Sequence, residues 1–139
     1  MDLPVRALLI LTRNQLIPLA YRLRADRRAR VYAADRPVAI PCRLDAESRA
    51  GLLADHKDGR LTLSRPGAPL LFTPEGGAPA TEIPSGGTIV LVTGCQPTRL
   101  ASHVDRVVTR YEARRRHEFW IETTAFDAPL LHRALTPAP

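Results

Sequence analysis

The sequence predicts an α/β fold: a small two- or three-layer sandwich on a partly parallel sheet of about five or six strands with a central hairpin. Three observations carry this expectation. An aliphatic run, an apolar-striped segment and a second short β-type run follow one another over residues 5–35. A similar strand–helix order recurs over residues 88–124. Between them, two short apolar runs flank a Pro-Gly turn. With 139 residues the chain has the size of one ordinary domain. At 45% hydrophobic and 5% aromatic residues, its core is expected to be aliphatic.

Val5–Leu11 reads VRALLIL, which suits a buried strand. Thr12, Arg13 and Asn14 form a turn in this reading, with Thr12 and Asn14 as candidate caps for a helix from Gln15 to about Arg27. Pro18 falls in its first turns, where a missing N–H costs little. Leu16, Ala20 and Leu23 share one face, with Ile17 beside them. Arg30–Ala34 reads as a second strand ending at Asp35, and such crossovers are normally parallel and right-handed.

Val38–Ile40 is a candidate strand closed by Pro41, and Asp45–Asp55 a candidate helix capped by Asp45. Arg60–Ser64 and Leu70–Thr73 read as a hairpin about Arg65-Pro66-Gly67. The Gly/Pro-rich stretch 74–87 reads as a flexible loop inside a single domain. Thr88–Thr93 is an apolar strand. Thr98 caps a helix over 98–116 with Leu100, Val104, Val107, Val108 and Tyr111 as its buried stripe. Phe119–Thr124 reads as a strand and Ala128–Leu135 as a short helix.

Function is less legible. The formal net charge is +6 and Lys57 is the sole lysine, so the basic charge is arginine. Coding bias accounts for such a balance without function. Arginine also suits recognition of phosphate and carboxylate, because its planar fork donates paired hydrogen bonds. The arginines cluster at both ends of the chain: Arg6, Arg13, Arg22, Arg24, Arg27, Arg28, Arg30, Arg36 and Arg43, then Arg99, Arg106, Arg110 and Arg114–Arg116. That clustering points to an acidic partner, an acidic protein or a nucleic acid. On the expected helix, Arg99, His103, Arg106, Arg110 and Arg114 recur on one face, either to straddle phosphates or as a solvated charged face.

Cys42 and Cys95 are too few for a disulfide framework and lack zinc-ligand spacing, so no metal and no cofactor is expected. Cys95 precedes the expected helix, with His103 and His117 beyond it. A thiolate–imidazole pair is conceivable there, yet the pattern reads better as a small turn residue. No apolar run is long enough to cross a bilayer, so a cytoplasmic protein without membrane contact is expected. The oligomeric state is not readable.

Residues 5–35 resemble the opening of the pre-ATP-grasp domain of glycinamide ribonucleotide synthetases. The likeness rests on Leu19-Ala20-Tyr21-Arg22-Leu23 followed by Val31-Tyr32-Ala33-Ala34. The family's glycine-rich turn is missing, and the likeness covers about a quarter of the chain. The resemblance implies a strand–helix–strand opening and a nucleotide-related ancestry. It carries no ligase activity and no site residues across. Independently of it, Arg13 and Asn14 in the first turn, and Asp35 at the end of the second strand, hold the positions that nucleotide-binding folds use for phosphate and ribose. The expected class is a non-enzymatic binding or assembly module. The alternatives are a nucleic-acid-binding protein using the 98–116 helix, and a nucleotide-binding domain or degenerate protein related to the ATP-grasp family, as the resemblance implies.

Overall fold

Among the described residues, burial alternates residue by residue over 59–63, 70–74, 108–113 and 117–123, which is the mark of sheet strands with one face on a core. The computed structural model describes residues 2–46, 57–95, 104–113 and 117–137. They comprise helix α1 (Asp2–Ala33), strands β1 (Val38–Ala46), β2 (Lys57–Leu63), β3 (Leu70–Pro74), β4 (Thr81–Ile83), β5 (Thr88–Cys95), β6 (Arg106–Ala113) and β7 (His117–Thr124), and helix α2 (Ala128–Leu135). The strands form one seven-stranded sheet in the order β4-β3-β2-β1-β7-β6-β5. Every described pairing is antiparallel.

The expected partly parallel α/β sandwich is therefore corrected to an antiparallel half-barrel with flanking helices. Two meanders, β1–β4 and β5–β7, are joined by pairing β1 to β7, which leaves β4 and β5 as the edges. Ile40, Cys42, Leu44, Leu61, Leu63, Leu70, Phe72, Ile83, Tyr111, Phe119 and Ile121 line the inner face. Leu130, Leu131, Ala134 and Leu135 of α2 join the same cluster.

Two local errors produced the α/β expectation. The first is residues 5–35, where strand, helix and strand merge into α1. Leu, Ala and Arg dominate this stretch and are all good helix formers, and an aliphatic run cannot by itself distinguish strand from helix. Pro18 lies inside α1 and not at its start. The helix ends in a Schellman motif: the Arg36 N–H donates to the Val31 carbonyl at 3.2 Å and the Asp35 N–H to the Tyr32 carbonyl at 3.0 Å. Asp35 takes the left-handed position at φ 59° that glycine normally fills.

The second error is the helix over 98–116. Residues 106–113 are β6, paired with β5 on one side and β7 on the other. Val107, Val108 and Thr109 are β-branched and fit a pleated surface, and pairing on both sides overrides a helical reading of the pattern. Residues 96–103 and 114–116 lie outside the described residues, as does most of the expected helix at 45–55; Asp45 itself is in β1. β1 also runs through Pro41. It pairs with β7 only from Arg43 onward, so the proline sits where β1 is bonded to β2 alone.

Other expectations match. β2 and β3 form the hairpin, turning through Arg65–Ala68 with the Ala68 N–H on the Arg65 carbonyl at 3.0 Å. Pro66 followed by Gly67 at φ 86° makes this a type II turn. β5, β7 and α2 fall where expected. The stretch 74–87 contains strand β4, and its end is pinned. Tyr111 donates its hydroxyl to the Pro84 carbonyl at 2.7 Å and accepts the Gly87 N–H at 2.8 Å. The Gly86 N–H donates to the carbonyl of Leu135 at 2.8 Å.

Candidate binding surface

The arginines divide into two sets with different electrostatics. On the outer face of the sheet, β6 presents Arg106 and Arg110 beside Glu122 and Glu118 of β7. Arg106 meets Glu122 at 3.4 Å and Arg110 meets Glu118 at 2.9 Å. The Arg110 guanidinium also lies 5.7 Å from the centre of the Trp120 ring. Arg43 of β1 pairs with Asp58 of β2 at 3.3 Å. A depression of about 170 Å³ on this face is lined by Arg43, Asp45, Val108, Trp120 and Glu122. Charges of both signs alternate there, so the face offers no unbalanced positive field.

The second set lies on α1. Arg28 turns inward and reaches Asp127, the N-cap residue of α2. Its Nη1 donates to both carboxylate oxygens, at 3.1 and 2.9 Å. Asp127 is 2% exposed, and its carboxylate also accepts the Thr124 hydroxyl at 3.2 Å. This contact and the buried Ala25 and Tyr32 fix which side of α1 faces the body. Helical geometry then turns Leu16, Leu19 and Leu23 outward, followed on the same stripe by Arg27 and Arg30. Arg22 and Arg24 of α1 are exposed as well, as is Arg36 just past its end. Among the described residues no carboxylate pairs with Arg22, Arg24, Arg27, Arg30 or Arg36. Arg24 instead lies 6.0 Å from the Tyr21 ring centre.

Of the sequence-derived site residues, the structure brings Arg106 and Arg110 together on one face, but in a strand and with acidic partners. Arg99, His103 and Arg114 lie outside the described residues, and so does the Cys95 side chain. Arg13 and Asn14 fall within the backbone of α1, not in a turn, with side chains outside the described residues. Asp35 caps α1 as described above and lines a cavity of about 310 Å³ with Tyr32, Ala33, Pro66, Arg133 and Pro137. The Tyr32 hydroxyl is buried without a hydrogen bond among the described residues. Burial raises its pKa, opposed by Arg133 and reinforced by Asp35.

Of the other described groups that could act as nucleophile or base, Cys42 is buried and His132 is half-buried. Burial pushes the Cys42 thiol up to about 12, which keeps it protonated and unreactive. His132 of α2 sits 2.8 Å from the hydroxyl of the fully buried Thr109, and burial lowers its pKa. Among the described residues no three His, Cys, Asp or Glu side chains group as metal ligands. No described helix is long and apolar enough to cross a membrane.

Sequence reasoning missed the outward leucines because Leu16, Ala20 and Leu23 match the spacing of a core-facing stripe. The density of arginine around Leu23 was the available signal that this stripe is not covered by the sheet. Comparisons of the chain with family models, with curated proteins and with solved structures find no match.

Proposed function

We propose that this protein is a non-enzymatic binding module that meets an acidic partner through the outer side of α1. The observation that carries this reading is the contrast between the two arginine sets. Those of β6 are matched by glutamates on β7, whereas Arg22, Arg24, Arg27, Arg30 and Arg36 face outward without carboxylate partners among the described residues. Unmatched clustered charge attracts a partner of opposite sign, and matched charge does not. The half-barrel and α2 serve as the rigid body that holds α1, through Arg28 and Asp127.

The test uses heparin as a soluble polyanion, titrated at low and moderate salt. Wild type is expected to bind, with affinity falling as salt rises. Arg24→Glu with Arg27→Glu is expected to weaken binding roughly tenfold or more. Absence of binding at low salt, or binding indifferent to these substitutions, would sink the reading.

A further inference from the structure

We infer that β5 is a pairing edge for a second copy of this chain, so that two half-barrels join into one continuous sheet through antiparallel β5–β5 pairing about a twofold axis. This surface is separate from α1 and does not depend on the reading above. Among the described residues β5 ends the sheet and is bonded to β6 alone. Its outer row of backbone N–H and C=O groups is therefore open to another strand. Val90, Leu91 and Val92 are 46%, 51% and 45% exposed, and the exposure continues through Gly94.

The exposed side chains lie on both faces of the strand. Leu91 stands opposite Arg110, on the outer face, and Val92 stands opposite the fully buried Thr109, on the inner face. A strand added in the plane of the sheet covers apolar side chains on both faces at once. A helix, a bilayer or a globular groove laid on one face leaves the other in water. The register with β6 skips Val90, and such a bulge can blunt an edge, but it runs unbroken from Leu91 to Cys95.

Three features select a second copy as the added strand. Residues 83–98 carry no charge in a chain of net charge +6, so two copies meet along β5 without setting like charges opposite one another. The neighbouring Arg106 and Arg110 of β6 are matched by Glu122 and Glu118. An acidic strand from another protein finds no cation along β5, whereas an identical strand finds apolar residues opposite its own. Next, Thr88–Thr93 is β-branched at every position but Leu91 and holds no proline or glycine, the composition of segments that pair with themselves. Finally, the opposite edge is protected. β4 is three residues long, carries the exposed Glu82 and is flanked by Pro79 and Pro84. Head-to-tail pairing of β5 with β4, which propagates into a fibre, is disfavoured, and twofold pairing of β5 with itself closes at two copies.

The experiment is sedimentation equilibrium of the full chain beside hydrogen exchange of its β5 amides. The mass is expected to rise from the 15.3 kDa of one chain to twice that value between about 1 µM and about 100 µM. Over the same range the β5 amides are expected to exchange more slowly as concentration rises. Leu91→Glu with Thr93→Glu places charge on the outer face of the edge and is expected to raise the dissociation constant roughly tenfold or more. Leu16→Gln, Leu19→Gln and Leu23→Gln together, on α1, are expected to leave the dimer as it is. A wild-type chain that stays monomeric throughout overturns the inference, as does growth beyond two copies. A dimer that the α1 variant dissolves and the β5 variant does not overturns it too. Exchange in the wild type decides the case should the β5 variant fail to fold: β5 amides indifferent to concentration while the mass doubles place the contact elsewhere and overturn it.

Discussion

Arg28 and Asp127 stand 99 residues apart in the chain and meet at 2.9 Å, joining the outer helix to the first turn of α2. Asp127 occupies the N-cap position of α2, yet its side chain makes no cap hydrogen bond and turns to the arginine. The pair thus fixes the rotation of α1 about its own axis, and with it which residues face outward.

Arg28→Ala is expected to destabilise the fold by about 2–3 kcal/mol. It leaves the 2%-exposed Asp127 carboxylate with the Thr124 hydroxyl but without its cation. Arg27→Ala, one position along and exposed, is expected to stay within about 0.5 kcal/mol of wild type. Urea denaturation of the two variants checks the difference.

Acid is expected to weaken the protein through His132. Its folded pKa lies below the ordinary 6.5 because burial disfavours the charged ring. The unfolded chain therefore binds the proton more readily. The stability held above the unfolded pKa is lost as pH falls toward and through the lowered folded value. Denaturation midpoints at about pH 7.5 and about pH 5 are expected to differ more in wild type than in His132→Gln.

The turn between β4 and β5 is expected to be intolerant at Gly87. A Cβ there would overlap the Glu112 carbonyl oxygen and crowd the Tyr111 hydroxyl, the group that holds this turn. Gly87→Ala is expected to cost more than Tyr111→Phe, which forfeits two hydrogen bonds for about 1–3 kcal/mol. Thermal denaturation of both variants provides the check.

Asp35→Gly is expected to stabilise by about 1 kcal/mol. It removes a side chain from a left-handed position that glycine takes without strain, and leaves the Schellman hydrogen bonds in place. A loss of stability would instead give the Asp35 carboxylate a role beside Arg133 in the cavity that both line.

Local punctuation was readable and long-range pairing was not. The β2–β3 hairpin announced itself through Pro66 and Gly67, and α2 through its apolar spacing at Leu130, Leu131, Ala134 and Leu135. β6 was misread because Val104, Val107, Val108 and Tyr111 recur at helical spacing, while only the partners on β5 and β7 decide for a strand. The helix expected from Gln15 to Arg27 lies within α1, but the flanking runs 5–11 and 30–34 were misread as strands because a short aliphatic run satisfies strand and helix alike. For the site, the richness in arginine was visible from the start. Its division into matched and unmatched sets depends on Glu118 and Glu122 lying across a strand pair, and on one arginine turning inward to Asp127. No local pattern encodes those meetings.

The most direct test of where the protein meets its partner compares two neutralised variants under one polyanion titration. One is Arg24→Gln with Arg27→Gln on α1, and the other is Arg106→Gln with Arg110→Gln on β6. Both remove the same formal charge. If α1 is the binding surface, the first variant loses most of the affinity and the second keeps it, because the β6 arginines are already matched by glutamates. Equal losses from the two variants, or a larger loss from the β6 pair, would contradict the assignment of the surface to α1.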